Sequence, residues 1–122
     1  MNIESALKEA MAIDGALGVA LVDYDSGMSL GSLGGGGGVD LEVAAAGNTE
    51  VVRAKVRTLE SLNIDDAIED ILITLHRQYH LIRLMQRGGV HRIFLYLALD
   101  RERANLALAR HHLRRIEGEL SI

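Results

Sequence analysis

The sequence predicts an α+β fold: a five-stranded antiparallel sheet sandwiched between helices, in the order α-β-β-α-β-β-β-α. Three observations carry that prediction. Three segments repeat apolar residues at helical steps of three and four, five others are apolar runs of strand length, and turn signals separate neighbouring strands. Two of the strand runs are apolar at both parities, as in a sheet covered on both faces. Proline is absent, so nothing forces a break inside these segments. At 122 residues the chain is expected to form a single domain, 1–122, that buries its own core without disulfides or metal.

The elements follow in order. Residues 2–12 place Ile3, Leu7, Ala10 and Met11 on one helical stripe, with Asn2 as N-cap. LGVALVD (17–23) is a β-run, Asp25-Ser26-Gly27 supplies a turn, and MSLGSL (28–33) returns as the second strand of a hairpin. A run of five glycines, 34–38, then leads into a long helix over 39–62, whose first turn holds Asp40 and Glu42. That helix carries two apolar stripes. Leu41, Ala45, Val52, Val56 and Leu59 suffice to cover the sheet, whereas Val43, Gly47, Val51 and Ala54 are small-sided and suit close packing on another helix. The chain has no free helix left to supply that contact.

Strands are expected next at 66–76 (DAIEDILITLH), 80–86 (HLIRLMQ) and 90–99 (VHRIFLYLAL), the first and last buried on both faces. Gly88-Gly89 signals the hairpin between the last two, and Arg77-Gln78-Tyr79 must turn the chain between the first two. Asp100 is expected to cap the final helix, with Leu106, Ala109, Leu113, Ile116 and Leu120 as its apolar seam.

Composition excludes several function classes. The chain is 48% apolar and 25% charged, far from the signature of disorder, and it lacks cysteine, which removes disulfides, thiolate metal sites and cysteine nucleophiles. No apolar run reaches the roughly 18 residues of a membrane span. The acidic, amphipathic start differs from a basic signal peptide, so a cytoplasmic location is expected. Residues 1–70 hold 13 Asp and Glu against 4 Lys and Arg, while 71–122 hold 4 against 9. With a pI of about 5.7, this polarity fits a protein partner or a second copy rather than nucleic acid.

No catalytic motif emerges. A phosphate-binding loop needs lysine and a hydroxyl after its last glycine, but Gly37 and Gly38 stand there, and Asp40 and Glu42 would repel an anion held by Gly35 through Gly38. The run is therefore expected to be a flexible connection that lets the chain cross the sheet edge and change face. His76 and His80 flank the expected turn, where a tight closure would set them opposite each other, but no third metal ligand is evident. His111 and His112 diverge around the last helix beside Arg110, Arg114 and Arg115. The acids Asp65, Asp66, Glu69 and Asp70 lack the spacing of a calcium loop and read as a charged lead-in to a strand. No serine sits in a nucleophile elbow. No cofactor, metal site or enzyme activity is expected.

Several stretches are similar to one known family. GVALVDYDSG (18–27), the Ala- and Val-rich long helix, EDILITLHRQYHLIRLM (69–85) and LYLALDRERANLALARHHLRRIE (95–117) resemble the Roadblock family of dynein light chains and bacterial GTPase regulators, over about residues 3–118. DRERANLALA (100–109) is the most specific piece. The resemblance implies the profilin-like fold derived above, with the long helix on one face and both terminal helices on the other. It implies a homodimer in which two long helices pack antiparallel, Gly47, Val51 and Ala54 meeting their symmetry mates, while Ile71, Ile73 and their neighbours pair edge to edge into a ten-stranded sheet. Bacterial members are commonly linked to Ras-like small GTPases as activators or adaptors, so the implied function is a non-catalytic regulator or adaptor of such a GTPase. A GTPase-independent scaffold and a small-ligand sensor are the alternatives. An arginine finger from Arg77 or Arg87 is conceivable, although a solvated surface arginine is the simpler reading of each. The long glycine run and the basic HRQYH turn depart from the family pattern.

Overall fold

The structure is a computed structural model that describes residues 1–86 and 92–121. Its elements are α1 (Ile3–Met11), β1 (Ala16–Asp23), β2 (Met28–Gly34), α2 (Leu41–Ser61), β3 (Asp70–Thr74), β4 (Gln78–Leu84), β5 (Ile93–Asp100) and α3 (Leu106–Glu119). The five strands form one sheet in the order β2-β1-β5-β4-β3, every neighbouring pair antiparallel. The expected α+β order is therefore the one found.

Side-chain alternation explains why the central strands are apolar at every position. Along β5, Leu95, Leu97 and Leu99 enter a core closed by Leu7 and Ala10 of α1 and by Leu113 and Ile116 of α3. Phe94, Tyr96 and Ala98 point the other way, against Ala45 and Val52 of α2. Successive strand residues face opposite sides, so a sheet sandwiched by helices needs no polar face. Each fully buried leucine here contributes roughly 1.5–3 kcal/mol.

Each helix begins on a side-chain cap. Asn2 Oδ1 accepts from Ser5 N–H at 2.8 Å, and Asp40 Oδ1 accepts from Glu42 and Val43 N–H at 3.0 and 3.2 Å. For α3 the cap is Asn105, whose Oδ1 accepts from Leu108 N–H at 3.0 Å. This corrects the expectation for Asp100, which ends β5 opposite Gln78. Asp100 instead closes a separate turn, its carbonyl accepting from Ala104 N–H and its carboxylate from Glu102 N–H.

Three further expectations change. The third strand is shorter than 66–76, and it is an edge strand with Leu72 36% exposed rather than one buried on both faces, because among the described residues no strand lies beyond it. The turn before β4 is Leu75 to Arg77, with Leu75 N–H donating to Gln78 O at 2.9 Å. His80 consequently sits inside β4 opposite Ile73, and His76 stays on the turn, so the two do not face each other. The Gly88-Gly89 signal and Arg87 lie outside the described residues.

The glycine run is a built crossing rather than a plain flexible connection. Gly35 and Gly36 both donate their N–H to Leu17 O at 2.9 Å, and Gln78 Nε2 donates to Gly37 O at 3.0 Å. At Gly34 φ is +81° and an added Cβ would lie 2.7 Å from Leu17 O; at Gly37 φ is +66° and a Cβ would lie 2.8 Å from Gln78 Nε2. Only glycine fits such positions. The run carries the chain from the edge at β2 to the face covered by α2, with the Gly35 and Gly36 amides engaged by Leu17 O.

Candidate interaction surface

The inner side of α2 is narrow. Only Ala45, Thr49 and Val52 are buried, the Thr49 hydroxyl donating to Ala45 O at 2.7 Å. Its outer side presents the second stripe foreseen in the sequence. Val43 is 68% exposed, Val51 38%, Ala54 is exposed, and nothing lies within 4 Å of where a Cβ on Gly47 would be.

Two open grooves flank this stripe, and Val51 lines both. One, of about 400 Å³, runs from Gly37 and Gly38 past Val43, Gly47 and Asn48 to His80 and Tyr96. The other, of about 620 Å³, is bounded by Val51, Ala54, Lys55 and Thr58 on α2 and by Ile68, Asp70 and Ile71 beside and on the edge strand. Val43, Gly47, Val51, Ala54 and Ile71 thus belong to one continuous surface leading from the helix to the open edge of β3. Ile73, opposite His80 in register, is half-buried on the same side of the strand but lines neither groove. An apolar, small-sided helix face continuous with an open strand edge is chemically suited to hold a second helix and a second strand together.

The edge strand is held by a buried ionic cluster. Arg83 on β4, 6% exposed, donates from Nε and Nη2 to Glu117 Oε1 at 3.2 and 3.1 Å, and Glu117, 4% exposed, also accepts from Gln86 N–H at 3.4 Å. Arg83 approaches Asp70 at 3.9 Å, and Arg110 grips the same carboxylate with two bonds of 2.9 Å. Asp70 is therefore a structural anion tied to α3, not part of a cation site. Sequence reasoning missed Arg83 and Glu117. The signals were an arginine interrupting an apolar strand and a glutamate four residues after Leu113, beside the apolar seam.

A polar chain supports the first groove. Gln78 donates to Gly37 O, which leaves its Oε1 to accept from His80 Nε2–H at 2.7 Å; His80 Nδ1 then accepts from the Tyr96 hydroxyl at 3.2 Å. Burial pushes the His80 imidazole below its usual range and the Tyr96 phenol up to about 12, the latter opposed by a hydrogen bond with Asn48. The network joins the glycine crossing, two strands and α2, and its polar groups satisfy one another.

The remaining candidates converge on no chemistry. His76 and Arg77 are exposed on their turn beside a hollow of about 590 Å³ that they share with Asp100, Arg101 and Glu102. Arg101 donates to Leu75 O at 2.9 Å and stacks over Tyr79, 5.2 Å from the ring centroid. Arg115 pairs with Glu9 and Glu119 on the outer side of α3. Among the described residues no group of three or more His, Asp or Glu is placed to hold a metal ion, and no helix is long and apolar enough to cross a membrane.

No family model matches the sequence, and no curated protein does. Solved structures do match in fold. The chain superposes on MglB of Myxococcus xanthus with a TM-score of 0.74 at 19% identity, over 94% of this chain and 85% of that one. It matches a Roadblock/LC7 domain of Streptomyces avermitilis with a TM-score of 0.77 at 10% identity, over 97% and 93%. It matches the gliding protein MglB of Thermus thermophilus with a TM-score of 0.76 at 17% identity, over 93% and 82%. With its sheet order, its long helix alone on one face and its two terminal helices on the other, the chain has the Roadblock/LC7 fold.

Proposed function

We propose that this chain, as a single Roadblock-like domain, is a non-catalytic homodimeric regulator or adaptor of a Ras-like small GTPase. The observation that carries the reading is the exposed stripe of Val43, Gly47, Val51 and Ala54, continuous through a groove with Ile71 at the open edge of β3. On this reading two copies pack α2 against α2, while Ile71 and Ile73 lie on strands that join edge to edge across the twofold axis. The dimer then offers one broad composite surface, and a surface contacting both switch regions of a GTPase can change its nucleotide state without supplying a catalytic group. The likeness in fold to MglB and to a Roadblock/LC7 domain supports a regulatory role, as does the resemblance of 95–117 to a family whose bacterial members are linked to such GTPases. The chain contributes binding and geometry only, and Arg77 acts as a surface residue.

The test is GTP turnover by each small GTPase of the source genome, with and without the purified chain. Binding to one of them, with or without a change in rate, supports the reading. No binding and no rate change across the set overturns it in favour of a scaffold that works without a GTPase.

A further inference from the structure

The sheet has two open edges, and they differ in how they are guarded. The β3 edge follows Asp65, Asp66 and Glu69, acids beside the strand that restrict which partner can pair there. The β2 edge has no such guard. From Ser26 to Val39 the chain contains no Asp, Glu, Lys, Arg or Pro, although 25% of the whole sequence is charged. Along this strand Met28 is 67% exposed, Leu30 42% and Leu33 37%. Its one irregularity is a register shift opposite Leu21 and Val22 that leaves Leu30 unopposed. The neighbouring α1 and α2 lie over opposite faces of the sheet, and every residue of β2 except Gly31 is exposed. Soluble proteins blunt edge strands with charge, proline or bulges; with the shift at Leu30 as its one such device, this apolar, uncharged edge points to a strand that pairs.

We infer that β2 pairs antiparallel with β2 of a second copy of this chain, so that the sheet continues from one subunit into the next. Charge selects the copy as occupant. When identical strands meet about a twofold axis, any charge near its centre faces its own kind, and a strand without charges avoids that repulsion entirely. The neighbouring acids, Asp23, Asp25 and Asp40, stand outside the strand and are already engaged: Asp23 accepts from Asp25 N–H at 2.8 Å, Asp25 pairs with Arg92 at 3.2 Å, and Asp40 caps α2. Shape agrees with charge. In a register centred on Gly31, the midpoint of β2, an antiparallel copy sets Leu30 opposite Ser32 and Leu33 opposite Ser29 instead of leucine against leucine. A seven-residue edge falls short of the roughly 1,200 Å² that a stable interface buries, so the contact is weak and concentration-dependent. The size it builds, though not the contact itself, rests on the dimer proposed above. Where α2 and β3 are already joined, each dimer retains two β2 edges and grows into tetramers and longer arrays.

Sedimentation velocity over a dilution series of the full chain tests this, comparing wild type with Leu30→Lys, Val51→Arg and the double variant, each first shown to melt like wild type. The expected result is a species larger than a dimer that grows with concentration in the wild type and is absent from Leu30→Lys. Val51→Arg should associate only pairwise at high concentration, and the double variant should be a monomer throughout. A dimer lost in Leu30→Lys but kept in Val51→Arg also supports the β2 contact, and overturns the α2 interface instead. Larger species that persist unchanged in Leu30→Lys overturn the inference. So does a wild type that never exceeds two chains while Val51→Arg is a monomer at every concentration, which leaves the edge to an extended segment of a different protein.

Discussion

The two longest helices solve opposite problems. α3 has 14 residues and turns one apolar seam inward, adds the buried Glu117 to it, and covers its outer side with Arg110, His111, Arg114 and Arg115. α2 has 21 residues, buries only three of them, and keeps Val43, Gly47, Val51 and Ala54 on its outer side. Contacts within the chain account for every apolar residue of the α3 seam. They leave the outer stripe of α2 exposed, and on the proposed reading a second helix covers it. On that reading the length and composition of α2 answer to contacts beyond the chain's own core as well as within it.

The contrast can be broken most forcefully at α3. Glu117→Ala removes both hydrogen bonds of the buried Arg83 guanidinium, leaving it only the Asp70 carboxylate at 3.9 Å, and is expected to cost about 3 kcal/mol in urea unfolding. Replacing both partners, Arg83→Met with Glu117→Leu, should cost far less, because no uncompensated charge remains buried. The caps come next. Asn105→Ala and Asp40→Ala should each cost about 1 kcal/mol by the same assay, showing that both helices are fastened equally at their starts.

Acid should act on the α2 side through His80, with a smaller effect. Burial holds its folded pKa below the usual 6.5, so the unfolded chain binds the proton more readily. This component of stability is complete above about pH 6.5 and is lost as pH falls through that value toward the folded pKa. Urea unfolding between neutral and mildly acid pH should therefore show a shallower slope for His80→Gln than for wild type.

Much of this was legible in the sequence because burial leaves periodicity behind. The seam from Leu106 to Leu120, the both-parity run of β5 and the two stripes of α2 were all read from spacing alone, and each lies where spacing put it. What escaped depended on pairing at a distance. Glu117 and Arg83 look like surface residues until β4 and α3 bring them together. Asp100 looks like a helix cap because helix formers follow it, yet pairing with Gln78 keeps it in the sheet, and the chain starts its helix at Asn105. The brevity of β3 was hidden as well, since an apolar run cannot announce that it lies at an edge.

Whether the outer stripe of α2 is an interface can be read from the solution mass at low concentration. Val51→Arg and Leu108→Arg place the same charge on exposed apolar positions of the two helices, 38% and 47% exposed, and each should change monomer stability by no more than about 0.5 kcal/mol. Light scattering should give wild type and Leu108→Arg twice the 13.3 kDa chain mass, and Val51→Arg the mass of one chain. A wild type of 13.3 kDa, or a Val51→Arg variant that stays paired, would contradict the account.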